Sequence, residues 1–132
     1  LTVLVDADDM NEPVADTMRG LLDGHVVLSR TIAERGQYPA IDVLQSVSRV
    51  MGAVVPPEQV SAAREFRKML ASYEEIRDLV AVGAYQRGGD PAIDLAVDAQ
   101  PAMRAFLGQE STERRELEAT RAALATITGA GR

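Results

Sequence analysis

Residues 1–36 read LTVLVDADDMNEPVADTMRGLLDGHVVLSRTIAERG, and the order of apolar runs and breakers in them decides the fold class. Residues 1–5 (LTVLV) form a short β-rich apolar run of the kind that makes a buried parallel strand. It stops at Asp6-Ala7-Asp8-Asp9. Asn11 or Glu12 can then cap a helix with Pro13 at its first position. Val14, Met18, Leu21 and Leu22 share one face of that helix, and Gly24 ends it. Residues 25–28 (HVVL) predict a second strand, and Thr31 caps a short helix ending at Gly36. Strand–helix–strand–helix is the order of a parallel α/β sheet.

Beyond Gly36 the pattern changes. YPAIDVLQSVSRVM (38–51) has no clear helical or strand period, yet it sets Arg49 among small hydroxyls and apolar neighbours. Pro56-Pro57 interrupts the chain, and a long helix is expected over 57–82. Its inner face carries Val60, Ala63, Phe66, Met69, Leu70, Tyr73, Ile76 and Val80 at packed-helix spacing. Gly83 closes it and Gly88-Gly89 marks a loop. Asp90-Pro91 supplies an N-cap and an N1 proline to a helix that Pro101 is expected to kink or split. A last polar helix over 112–127 has a thin stripe of Leu117, Leu124 and Ile127. The expected organisation is an α/β part over 1–55, a helical domain over 56–109 and a polar helical tail over 110–132.

Composition narrows the function. The chain has 132 residues, 46% hydrophobic and 26% charged, which suits one globular domain rather than a disordered segment. Aromatics make up only 4%, so the core must be aliphatic. A net charge of −6 argues against nucleic acid and anionic lipid as partners. There is no cysteine and one histidine, His25, so thiolate and histidine-rich metal sites are excluded. No apolar run reaches the about 18 residues of a membrane span. The chain opens on Leu1 without a methionine and is read as a piece of a longer one. A P-loop, G-x-x-x-x-G-K-[ST], is absent, since the only lysine is Lys68, inside the long helix with no glycine near it. A Ser-His-Asp triad would have to use His25, which sits in an apolar run. The acidic stretch 6–12 lacks the spacing and glycine of a calcium loop, so no metal site is expected.

Three stretches carry a resemblance: TVLVDADDMNEPVADTMRGLLDGHVVLSR (2–30), YPAIDVLQSVSRVM (38–51) and LVAVGAYQRGGDPAID (79–94). In this order and spacing they are similar to the catalytic ATPases of flagellar and type III protein export, relatives of the rotary ATP synthase heads. GAYQRGGDP (83–91) looks closer to the flagellar than to the injectisome branch, and the family more usually has glycine where Ala7 stands. The resemblance implies the C-terminal portion of a RecA-like ATPase of roughly three times the length, followed by a helical C-terminal domain. Such an enzyme works with ATP and Mg²⁺ as a cytoplasmic homohexamer at the inner-membrane export apparatus, peripheral to the export gate. The Mg²⁺ ligands and the P-loop would precede Leu1, so these residues alone are expected to be inactive. A competing reading makes the helical domain a non-catalytic docking platform for export chaperones and substrates.

Residue by residue, the resemblance implies that Arg49 is an arginine finger reaching a neighbouring subunit's nucleotide, with Arg30 as the back-up candidate. Such a guanidinium is worth about 10³–10⁵ in rate, or roughly 4–7 kcal/mol. Without the resemblance, Arg49 pairs locally with Asp42 or with a backbone carbonyl. Tyr38 falls where the family stacks an aromatic on adenine, Pro39 restricting it to extended geometry; otherwise it caps the core. Tyr85 and Gln86 are the residues of the helical domain implied to close over the base, with a core role for Tyr85 as the alternative. The loop Asp8, Asp9, Asn11, Glu12 corresponds to the region facing a coiled-coil stalk protein; regulators of the export apparatus are further partners that the resemblance implies for the enzyme. Its plainer reading is a solvated loop capping the next helix.

Overall fold

In the computed structural model, which describes residues 2–5 and 9–129, the helical half follows its sequence signals closely. Pro56 and Pro57 start α4 (Pro57–Ala81) where the helix needs no amide donors, and Val82 with Gly83 at φ 71° ends it. Asp90 starts α5 (Pro91–Leu107), its carboxylate accepting the Ala92 N–H at 2.8 Å. α6 runs over Leu117–Thr128. Phe66, Met69, Ala96 and Met103 form the buried core of α4 and α5, with Leu70, Tyr73, Phe106, Leu124 and Ile127 packed against it. The rings of Phe66 and Phe106 meet at 5.2 Å, tilted by 55°. On α4 it is Ala62, rather than the expected Ala63, that is buried.

Two expectations for this half are corrected. Of the kink or split expected at Pro101, the split is absent: α5 runs unbroken over Pro91–Leu107. Ala96 and Met103, both buried, anchor it before and after the proline, and that packing outweighs the about 3 kcal/mol an interior proline costs. The last helix starts at Leu117 rather than near 112, because the preceding residues have better partners in a turn. Arg115 folds back onto the carbonyls of Gly108 (3.1 Å) and Phe106 (3.3 Å), and Glu113 accepts the Glu110 N–H at 3.2 Å. Arg115 beside it and that N–H hold the Glu113 carboxyl below its usual range.

The N-terminal part contains α1 (Pro13–Leu21), β1 (Gly24–Leu28), α2 (Arg30–Glu34), β2 (Ile41–Ser48) and the single turn α3 (Met51–Val54). Of the two cap candidates Glu12 serves, its carboxylate accepting the N–H groups of Ala15 (2.6 Å) and Val14 (3.2 Å). α2 begins two residues earlier than expected, with Ser29 rather than Thr31 at its cap position. The strand expected over 1–5 is absent from residues 2–5, where Leu4 is 94% exposed. Among the described residues β1 and β2 pair antiparallel, not parallel. A parallel strand needs neighbours and covering helices on both faces, and the described residues offer residues 2–5 neither. Val14 (59%) and Leu21 (75%) on α1 are correspondingly exposed.

The stretch without a period is β2, and its register explains why. His25 pairs with Val47 and Val27 with Asp42, so two steps along β1 match five along β2, and the intervening residues bulge out. Within the bulge Ser46 Oγ accepts the Val27 N–H (3.0 Å) and donates to the Asp42 carbonyl (2.6 Å), bridging the two strands. Asp42 Oδ1 accepts the N–H groups of Leu44 and Gln45, both at 3.0 Å. The Gln45 carbonyl takes His25 Nε2 at 3.1 Å, and those of Leu44 and Ser46 take Arg67 from α4. An alternating period cannot survive residues that have left the ladder.

The α4–α5 loop is fastened by Asp94, which accepts the Tyr85 hydroxyl on Oδ1 and the Gly88 N–H on Oδ2 at 2.9 Å. The Tyr85 hydrogen bond, then that of Gly88, hold the Asp94 carboxyl below its ordinary range, while the same bond raises the Tyr85 phenol. The folded carboxyl is depressed, so its contribution is present above the unfolded pKa and lost as pH falls through the folded value. Tyr85→Phe should therefore move the Asp94 titration upward, read from its carboxyl chemical shift; an unmoved midpoint contradicts the fastening. In the core, Met103→Ala should cost about 2–5 kcal/mol in urea unfolding, and a cost near zero would refute the packing described.

Candidate functional site

Arg49 stands where β2 ends. Its backbone N–H donates to the Asp23 carbonyl at 2.8 Å, tying the strand's exit to the start of β1. Gly24 permits this approach, because a Cβ there would lie 2.7 Å from the Val47 carbonyl oxygen. The Arg49 side chain crosses to α1: Nη2 donates to the Arg19 carbonyl (3.1 Å) and Nη1 to that of Gly20 (3.3 Å). Carbonyls of a helix's last turn attract a cation. Of the local partners open in the sequence, backbone carbonyls are therefore the ones used, and Asp42 instead serves the bulge. Arg49 is exposed and forms no ion pair among the described residues. Arg30, exposed at the first position of α2, has an interaction of its own.

The loop before α1 is a folded turn. Asp9 Oδ1 accepts the Asn11 N–H at 2.9 Å, and the Asp9 carbonyl accepts that of Glu12 at 3.1 Å. Asp8 lies outside the described residues. α1 thus joins this turn to Arg49, with Glu12 bound at one end of the helix and the guanidinium at the other.

Tyr38, 60% exposed, lines an open cleft of about 850 Å³ with Pro39, Arg104, Gln109 and Glu113. The Tyr38–Pro39 peptide is cis, and the Tyr38 carbonyl accepts the Gln109 N–H at 2.8 Å, joining the two walls. Tyr85 and Gln86 are not among the cleft's lining residues, and the Tyr85 hydroxyl is engaged by Asp94. Sequence reasoning missed Arg104 and the Gly108–Glu113 turn. The only signal was the Gly108 break after Leu107, which reads as a helix end.

The cleft has the size and the exposed ring for a planar base, whereas the phosphate cradle and its lysine are absent from the 132 residues.

Residues 55–126 match the T3SS EscN ATPase C-terminal domain family, and residues 1–48 match the nucleotide-binding domain of the ATP synthase alpha/beta family. The chain is 49% identical to the flagellum-specific ATP synthase of Bacillus subtilis over 97% of its own length and 29% of that protein's. It is 53% identical to the SPI-2 type 3 secretion system ATPase of Salmonella typhimurium, over 85% of this chain and 26% of the relative. It therefore spans less than a third of these curated relatives. Among solved structures, the assembled ATPase EscN of the enteropathogenic E. coli type III secretion system superposes with TM-score 0.91. The identity is 38%, over 96% of this chain and 31% of that one. EscN in complex with its central stalk EscO matches at TM-score 0.82 and 37% identity, over 88% of this chain and 29% of that one. The 132 residues belong to the family of flagellar and type III secretion export ATPases.

Proposed function

We propose that this chain is the C-terminal portion of an ATP hydrolase that energises protein export, and that it supplies Arg49 to the active site of a neighbouring copy. The observation that carries the reading is the state of Arg49. It is an exposed guanidinium at a strand exit, bonded to two helix-end carbonyls and paired with no carboxylate among the described residues. A γ-phosphate losing its bond to the β-phosphate offers such a group more negative charge than two carbonyls do. The planar fork can grip two of its oxygens. Arg30 remains the back-up.

In this reading ATP is held by two copies. One supplies the phosphate cradle and the Mg²⁺ ligands from residues not in this chain, together with a base pocket built by Tyr38 and the 108–113 turn. Tyr38 offers a ring face for stacking, and Arg104 and Gln109 supply donors at its edge. Tyr85 acts indirectly, by fastening the α4–α5 loop through Asp94, and Gln86 beside it is the helical domain's residue left to close over the base. The copies form a closed ring, a homohexamer, because a residue acting in trans needs a neighbour at every site. The turn at Asp9, Asn11 and Glu12, with Asp8, faces a coiled-coil stalk through the ring, a reading supported by the EscN–EscO relative and by its acidity. The segment 83–91 favours the flagellar branch, and the working place is the cytoplasmic face of the export apparatus, where regulators, chaperones and substrates meet the ring.

In the full-length protein, Arg49→Ala should lower steady-state ATP turnover by about 10³-fold, with ATP affinity changed less than about twofold. Turnover within a few-fold of wild type would assign Arg49 to capping α1 and make the helical domain's docking role the better reading.

A further inference from the structure

Arg67 lies on α4, in the helical half, and is half-buried. Its guanidinium forks across β2: Nη1 donates to the Ser46 carbonyl at 2.9 Å and Nη2 to the Leu44 carbonyl at 3.0 Å. Both carbonyls belong to the bulge between Asp42 and Val47, so the ladder with β1 does not hold them. Arg67 forms no ion pair among the described residues, and these carbonyls are the partners its charge faces. A rigid fork with five donors spans two carbonyls in a fixed geometry, which a flexible ammonium cannot do.

Bulges re-aim the strand that follows them. From Ser46 the chain has two residues, Val47 and Ser48, before Arg49, and both are paired again with β1. The direction in which Arg49 leaves β2 is therefore set by how the bulge carbonyls are held. His25 on β1 holds the Gln45 carbonyl, but the two on either side are held from the helical half by one side chain.

We infer that Arg67 is a positioning residue for Arg49, fixing the bulge so that the guanidinium of Arg49 meets the neighbour's nucleotide in register; this rests on the proposed role of Arg49. The same fork makes the helical half and the arginine move together. A shift of α4 reaches Arg49 through two hydrogen bonds and a short strand. A residue that only glued the two halves would protect stability whether or not Arg49 were present, whereas a positioning residue matters to turnover through Arg49 alone.

The test uses the full-length protein, with Arg67→Ala and Arg67→Lys each made alone and combined with Arg49→Ala. ATP turnover, ATP affinity and thermal unfolding are measured for all of them. Arg67→Ala should lower kcat by about tenfold or more with ATP affinity little changed, and lysine should restore only part of it. Added to Arg49→Ala, it should lower turnover further by less than about twofold. Should Arg67→Ala fail to fold, Arg67→Lys carries the same comparison. Equal proportional losses with and without Arg49, or losses that follow thermal stability in both variants, overturn the inference while leaving Arg49's role intact. An Arg49→Ala protein with wild-type turnover removes the proposed role and this inference together.

Discussion

Three carbonyls that have left a strand ladder, those of Leu44, Gln45 and Ser46, have to find donors elsewhere, and much of the chain's arrangement follows from where they find them. A buried or half-buried carbonyl without a partner is costly, and a donor bearing full charge makes the stronger bond. Arg67 supplies such donors from α4, so the bulge ties the helical half to the strand pair. The Ser46 hydroxyl does the same across the strands, standing between the Val27 N–H and the Asp42 carbonyl. What emerges from this knot is a short paired segment ending in Arg49, held at the backbone by Asp23 and at the side chain by the last turn of α1.

The two halves are stabilised in different ways. In the helical half, Phe66, Met69, Ala96 and Met103 bury apolar surface between α4 and α5 with few aromatics. The strand half relies on hydrogen bonds, with capped helix ends and a fastened bulge, and its larger apolar side chains, such as Leu21 on α1, remain open. This asymmetry is what a nucleotide-binding fold would show when its remaining strands are not part of the chain, and it accords with the family match dividing near residue 50.

Much of this was legible beforehand, for reasons that differ by element. α4 and α5 were legible because prolines, an aspartate cap and a glycine stop mark their ends and a single apolar face runs between them. The continuity of α5 through Pro101 was not, since burial on both sides of a proline is a tertiary fact. β2 escaped notice because a bulge destroys the alternation by which strands are recognised. The parallel strand at 1–5 was read from an apolar run, yet residues 2–5 pair with nothing among the described residues and Leu4 is exposed. At the site, Arg49 and Tyr38 were named from resemblance and stand exposed at a strand exit and a cleft. Arg104, the 108–113 turn and Arg67 were invisible, because their roles depend on which backbone they face across the fold.

In the proposed mechanism the bulge aims Arg49 at a nucleotide held by a neighbouring copy. A structure of the full-length protein with ADP and aluminium fluoride tests it most directly. Arg49 should there have left the carbonyls of Arg19 and Gly20 and stand about 3 Å from the fluoride bound in the adjacent subunit. Arg67 would still hold Leu44 and Ser46. Arg49 still seated on α1 beside an occupied neighbouring site, with no nucleotide in its reach, would contradict it.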